Sequence, residues 1–135
     1  MPVLVNTHVL LWYSAHDTKL SQNAQEILES LLDRYLSIVS LWEISIKLNI
    51  GKLSGEVSFD EILSRVAVLQ LRILPITVEH TKVYLDLPRF PEHRDPFDRM
   101  LVAQSIANHL TIVSADSKFD LYPIQRIWSS DKSQD

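Results

Sequence analysis

Asp95-Pro96-Phe97-Asp98-Arg99-Met100-Leu101-Val102-Ala103, followed closely by Thr111-Ile112-Val113-Ser114-Ala115-Asp116, is the stretch that decides the fold. Asp95 suits a helix N-cap and Pro96 the first helical turn, where a missing N–H costs nothing. Phe97, Met100, Leu101, Val102, Ala103, Ile106 and Ala107 continue an apolar helix. Thr111 to Ser114 then reads as a short buried strand that ends at an acid, Asp116. A helix that delivers the chain into a buried strand is the repeating step of an α/β fold.

The same alternation runs outward in both directions. Pro2 to Val5 reads as a buried strand, with a helical stretch beginning near Thr7. Ser21 is a fair N-cap for a helix whose core face is Ala24, Ile27, Leu28, Leu31 and Leu32. Leu36 to Ser40 is rich enough in Ile and Val for a second strand, and from Leu41 a helical pattern runs through Ile50 to Gly51. Phe59 to Leu69 makes an amphipathic helix entered through Ser58 or Asp60. Leu71 to Pro75 is a strand, and Thr77 caps a short helix through His80 and Tyr84. Leu87-Pro88-Arg89-Phe90-Pro91 is too broken by proline to be regular, so it is a loop that carries the chain to Asp95. Ile124 to Trp128 supplies a last strand. The expected architecture is a three-layer α/β/α domain around a mainly parallel sheet.

Composition narrows the chemistry. A chain of 135 residues is expected to form one domain, 1–128, with a short polar tail over 129–135. There is no cysteine, so thiolate zinc sites, thiol nucleophiles and disulfides are excluded, and a reducing cytoplasm is the expected location. Two glycines leave little room for a glycine-rich phosphate loop. No membrane segment is expected, because the apolar run Val3 to Tyr13 is interrupted by Asn6, Thr7 and His8. The net charge of −4 argues against broad wrapping of a nucleic acid, though not against a nuclease whose metal ions supply local positive charge. The five histidines show no zinc-ligand spacing, and no nucleophile elbow is present.

In open parallel sheets the functional crevice lies beyond the C-terminal strand ends. Asn6 follows the first strand, Glu43 lies just past the second, Asp116 follows a later one, and Asp95 and Asp98 begin the helix before it. Acids gathered at one rim either take protons or hold cations. All-oxygen ligation favours a hard ion, Mg²⁺ or Mn²⁺, suited to phosphodiester chemistry. Asn6 contributes no charge and cannot bridge two ions, which predicts weakened metal binding and cleavage. Each residue also has a local alternative: Asp95 and Asp98 as cap and dipole partner, Glu43 paired with Lys47, Asp116 in an Asx-turn, Asn6 and Thr7 in a turn with a cap. His8, Lys47, Lys52, His93, Arg94 and Arg99 lie near the acids in sequence as phosphate contacts or ion-pair partners, with Arg99 open between substrate and Asp95 or Asp98. Excess apolar surface on the helices from Ser21 and from Phe59 is a candidate interface.

Taken together, Leu4-Val5-Asn6-Thr7-His8-Val9-Leu10-Leu11-Trp12, Ser37 to Lys47 with Gly51-Lys52-Leu53, Leu74-Pro75-Ile76-Thr77, His93 to Gln104 and Ser114-Ala115-Asp116 resemble a PIN domain, more narrowly a VapC-type toxin ribonuclease of a toxin-antitoxin pair. The resemblance covers nearly the whole chain. It implies Mg²⁺-dependent cleavage of RNA, with Glu43, Asp98 and Asp116 as metal ligands and Asp95 as an accessory acid. The position held by Asn6 is normally Asp in such proteins, so here it is an impaired ligand. Thr7, His8, Lys47, His93, Arg94 and Arg99 are the expected supporting or RNA-contacting side chains. The resemblance also implies a homodimer and a cognate antitoxin that blocks the groove and connects the protein indirectly to operator DNA. The alternative is an inactive protein of the same fold that binds an antitoxin or nucleic acid without cleaving it.

Overall fold

In a computed structural model, residues 2–30, 33–53 and 57–128 are described. The expected tail 129–135, and Leu31 and Leu32, expected on the core face of the helix from Ser21, lie outside the described residues. The elements run β1 (Val3–Val5), α1 (Thr7–Ser14), α2 (Gln22–Leu28), β2 (Arg34–Ser37), α3 (Ile38–Asn49), α4 (Phe59–Val68), β3 (Arg72–Leu74), α5 (Val78–Leu85), α6 (Pro96–Asn108), β4 (Thr111–Val113) and β5 (Arg126–Ile127). A 3-10 turn, Ser117–Leu121, which the sequence pattern did not suggest, joins β4 to β5.

Among the described residues five strands form one all-parallel sheet, in the order β3-β2-β1-β4-β5. Alternation along β1 sorts its side chains between two cores. Val3 and Val5 enter one with Val9, Leu28, Ile44 and Ile62, which brings α1 to α4 onto that face. Leu4 enters the other with Leu101, Val102, Ile112 and Phe119, which brings α6 and the 3-10 turn onto the opposite face. This is the expected three-layer α/β arrangement. The chain leaves β1 toward β2 and β3, then returns to β4 on the other side of β1. The order therefore reverses between β1 and β4, and a crevice opens beyond their C-terminal ends.

Capping chemistry fixes where the helices begin. Ser58 and Glu61 form a reciprocal capping box at α4, and Thr77 and His80 do the same at α5. Asp95 Oδ1 accepts from the Phe97 N–H at 2.8 Å, with Pro96 next, as the sequence pattern implies. The second strand departs from expectation. It spans Arg34–Ser37 instead of Leu36 to Ser40, because the Ser37 hydroxyl accepts from the Val39 N–H and starts α3 at Ile38. That cap outweighs the strand preference of Ile38 and Val39. At the other end of α3, Gly51 at φ +73 returns its N–H to Leu48, and Lys52 returns its own to Lys47, a Schellman ending.

The expected apolar excess on α2 is absent among the described residues: Ala24 and Leu28 are buried and Ile27 packs on the core. On α4, Leu63 and Val68 are exposed, as anticipated. The two most exposed apolar side chains lie elsewhere, Leu85 and Val78 on α5, and Trp42 on α3 is exposed too. No helix among the described residues is long and apolar enough to cross a membrane.

Candidate metal centre

The rim beyond β1 and β4 is built by three local devices. Asn6, directly after β1, N-caps α1: its carbonyl oxygen accepts from the His8 N–H at 3.1 Å and its amide donates to Ser114 Oγ at 2.8 Å. Ser114, directly after β4, also accepts the Asp116 N–H at 3.0 Å, so one hydroxyl connects the two strand ends. Asp116 caps the 3-10 turn through the Lys118 N–H. Because α3 begins at Ile38, Glu43 sits in the second turn of that helix, 2% exposed and directed inward. Asp98 occupies the third position of α6, behind the Asp95 cap.

These placements bring the acids together electrostatically. Burial, and then the negative charges of Asp95, Glu43 and Asp116, push the Asp98 carboxyl up to about 7, with Lys47 acting in the opposite direction. Ligand atoms of His93, Asp98 and Asp116 lie within 4.8 Å of one another. Two buried polar atoms at this rim have no hydrogen-bond partner, Glu43 Oε1 and His93 Nε2. Glu43 Oε2 is held by Lys47 Nζ at 2.8 Å, leaving Oε1 as its uncommitted oxygen. Buried polar atoms are seldom left unpaired, and a cation is one way to satisfy acceptors of this kind. The donor set therefore fits a divalent ion: carboxylates from α6 and the β4 end meet beside His93, while Glu43 on α3 acts on Asp98 through its charge but, like Asn6, is not among the atoms that meet within 4.8 Å.

The local alternatives raised by the sequence are present as well. Asp95 caps α6, Glu43 pairs with Lys47, and Asn6 and Asp116 cap their turns. Capping and clustering are compatible for Asp95 and Asp116, whose caps each use one carboxylate oxygen and leave the other, whereas Asn6 spends its single oxygen on the His8 N–H.

Supporting residues divide into two groups. Lys47 stays at the acids. Thr7 spends its hydroxyl on Ser40 Oγ at 2.7 Å, tying α1 to α3. His8 is exposed and tilted against Trp12, with ring centroids 6.3 Å apart. Arg94 is exposed and donates to the Pro91 carbonyl. Arg99 pairs with neither acid: it is buried, donating to the Pro88 carbonyl at 2.9 Å and Tyr122 Oη at 3.1 Å, and lying over the Tyr84 ring. It anchors the proline-broken loop to α6. Tyr122 Oη in turn meets His93 Nδ1 at 2.8 Å. Burial pushes the His93 ring below its ordinary range, toward the neutral form.

His93 is the member of the cluster that spacing could not reveal. It enters from an irregular loop through an isolated bridge to Phe90, and rests edge-on against Phe119 and Tyr122. His93 also lines a groove of about 690 Å³, together with Tyr84, Arg89, Phe90, Arg94 and Arg99. A smaller apolar cleft of about 280 Å³ lies between Trp42, Ile76, Phe97 and Met100.

The profile of the PIN domain family matches residues 3–124. No curated protein matches the sequence. Among solved structures, the chain is similar to VapBC2 from Rickettsia felis bound to a DNA fragment from their promoter, with 18% identity and a TM-score of 0.70, covering 96% of this chain and 100% of that one. It is similar to FitAcB from Neisseria gonorrhoeae at 21% identity and a TM-score of 0.67, covering 94% and 96%. It is also similar to a toxin-antitoxin complex from Klebsiella pneumoniae at 15% identity and a TM-score of 0.62, covering 93% and 95%. At such identities these likenesses speak to the fold. The family match spans β1 to β4 and all six helices, and on that ground the chain belongs to the PIN domain family of nucleases.

Proposed function

We propose that this protein is a metal-dependent endoribonuclease toxin of the VapC type, weakened by Asn6 and neutralised by a cognate antitoxin. The observation that carries the reading is the meeting of Asp98 and Asp116, with His93, at ligand atoms within 4.8 Å of one another, beside the buried and unpaired Glu43 Oε1. Structural acids are normally dispersed or paired, because gathered like charges destabilise a fold unless something neutralises them.

Asp98, Asp116 and Glu43 would hold a divalent ion, Mg²⁺ or Mn²⁺, with Asn6 as a neutral and weaker neighbour. Such an ion, when bound, activates water for attack on phosphorus and offsets charge on the phosphate. The chain's own residues do the rest. Lys47 fixes Glu43 and leaves its second oxygen directed inward. Ser114 holds the Asp116 backbone in place, and Asp95 fixes the first turn of α6, from which Asp98 projects. Arg89 and Arg94 edge the adjoining groove, where they can pair with backbone phosphates of an RNA strand whose scissile bond reaches the acids. The apolar cleft at Trp42 and Phe97 suits a large side chain of an antitoxin segment crossing the same rim. Solved relatives described as toxin-antitoxin or promoter-bound complexes support that partner, and with it an indirect connection to operator DNA. The exposed α5 residues Val78 and Leu85 are the proposed contribution to a homodimer face. The assignment extends to a single domain over 1–128 and a cytoplasmic location.

Asn6 favours a second reading, a PIN-fold protein that binds without cleaving, since both ends of its amide are spent on Ser114 and His8. Incubating a mixed RNA pool with Mn²⁺ separates the two. Cleavage by the Asn6→Asp protein that disappears with Glu43→Gln supports the enzyme; no product from either the parent or Asn6→Asp protein supports the binder.

A further inference from the structure

Carboxylates alone do not describe the donor set at this rim. His93 is 3% exposed, and its Nε2 has no hydrogen-bond partner. That atom faces Asp98 Oδ2 across 3.7 Å, beyond hydrogen-bond length, and lies within the same 4.8 Å cluster as Asp116. We infer that His93 Nε2 is a direct ligand of the divalent ion, which makes the centre a mixed nitrogen and oxygen site preferring Mn²⁺, Co²⁺ or Zn²⁺ to Mg²⁺. The inference rests on the proposed metal site and adds a ligand and a cation preference to it.

The ring is held as a metal-binding imidazole needs to be. Its Nδ1 is 2.8 Å from Tyr122 Oη, while aromatic edges of Phe119 and Tyr122 restrict the plane. A hydrogen-bond partner on the far nitrogen is the usual companion of a histidine ligand, fixing the tautomer and aim. With Nε2 on the ion, Nδ1–H donates to Tyr122 Oη, which also accepts from Arg99 Nη1. Arg99 in turn is tied to the Pro88 carbonyl, so the loop bearing His93 is anchored to α6, the helix that bears Asp98.

The chemistry follows from Asn6. A site that presents a neutral amide where a further carboxylate would stand offers less charge to a hard ion, and hard ions depend most on oxygen ligands. An imidazole nitrogen compensates selectively, because affinities of first-row divalent ions for nitrogen rise from Mn²⁺ toward Cu²⁺, whereas Mg²⁺ keeps to oxygen and water. His93→Gln is therefore expected to weaken Co²⁺ or Mn²⁺ binding by about tenfold or more, while changing Mg²⁺ binding far less.

The deciding experiment is electron spin echo modulation of Mn²⁺ bound to the full chain. Expected are ¹⁴N modulations of a coordinated imidazole in the parent protein, replaced by ¹⁵N features after histidine-specific ¹⁵N labelling and lost in His93→Gln. Manganese that binds without nitrogen coupling overturns the histidine ligand and leaves the metal site standing; it would mean that Nε2–H donates to Asp98 instead. Nitrogen coupling that persists in His93→Gln assigns it to another histidine and also overturns the inference. Failure of Mn²⁺ to bind at millimolar concentration overturns the metal site itself. The labelled parent protein alone carries the nitrogen test if His93→Gln does not fold.

Discussion

Asp98→Asn should make the metal-free protein more stable at pH 8, at the expense of metal binding. In the folded chain the Asp98 carboxyl stands at about 7, against an ordinary value of 3.8, because it is buried and faces Asp95, Glu43 and Asp116. Between those values the folded state holds the proton more tightly than the unfolded state. Stability is thus greatest below pH 3.8 on this account, falls as pH climbs to about 7, and is flat above it. At 1.36 kcal/mol per pH unit the full cost is roughly 4 kcal/mol. Asparagine fills the same volume without the charge, so the variant should recover most of that figure. For a domain of this size the gain corresponds to a rise in Tm on the order of 10 °C. The assay is thermal unfolding in EDTA from pH 4 to 8, parent against Asp98→Asn. The two curves should converge at the acid end and separate progressively toward neutrality. Equal melting temperatures at pH 8 would refute the raised Asp98 carboxyl, and with it the combined burial and crowding of charge at this rim. Saturating Mn²⁺ should close the gap from the parent side, since an ion at a hundred times its Kd stabilises by about 2.7 kcal/mol.

Asn6→Asp should fold as the parent does, because Asp caps as well as Asn and the Ser114 hydroxyl, which now accepts, can donate to the new carboxylate. Its Mn²⁺ affinity, by calorimetry, should rise on the order of tenfold with the added ligand charge. Arg99→Met should cost about 1–3 kcal/mol in urea unfolding, because it takes the Arg99 donor from the Pro88 carbonyl and leaves the buried Tyr122 hydroxyl with His93 alone, and it should loosen the His93 loop in hydrogen exchange. Leu101→Ala, at a fully buried position between α6 and the sheet, should cost about 2–5 kcal/mol by the same method, with the unfolding slope unchanged.

How much of this was legible depended on whether the signal was local. The α6 start was readable because Asp95 and Pro96 are a cap and a first-turn residue in sequence, and β1 and β4 because short apolar runs next to polar caps have few other readings. The strand ends then placed Asn6, Asp116 and Asp98 on one rim by topology alone. The β2 to α3 boundary was misplaced because Ile38 and Val39 favour a strand, while the decisive event is one Ser37 hydroxyl accepting from the Val39 N–H. Arg99 was open because its partners, Pro88 and Tyr122, are 11 and 23 residues away. His93 was placed only as a supporting side chain: histidine ligands are recognised by spacing on regular elements, and its orientation comes from an irregular loop packed on Phe119 and Tyr122. A histidine two residues before a capping acid, at the end of a proline-broken loop, was the only available hint.

The most direct test of the metal centre is anomalous diffraction from crystals soaked in Mn²⁺. A single strong peak within coordination distance of Asp98 and Asp116, close to Glu43 and His93, is the expected result. A well-diffracting soaked crystal with no peak at that rim, or with manganese only at unrelated surface acids, would contradict the metal-dependent nuclease.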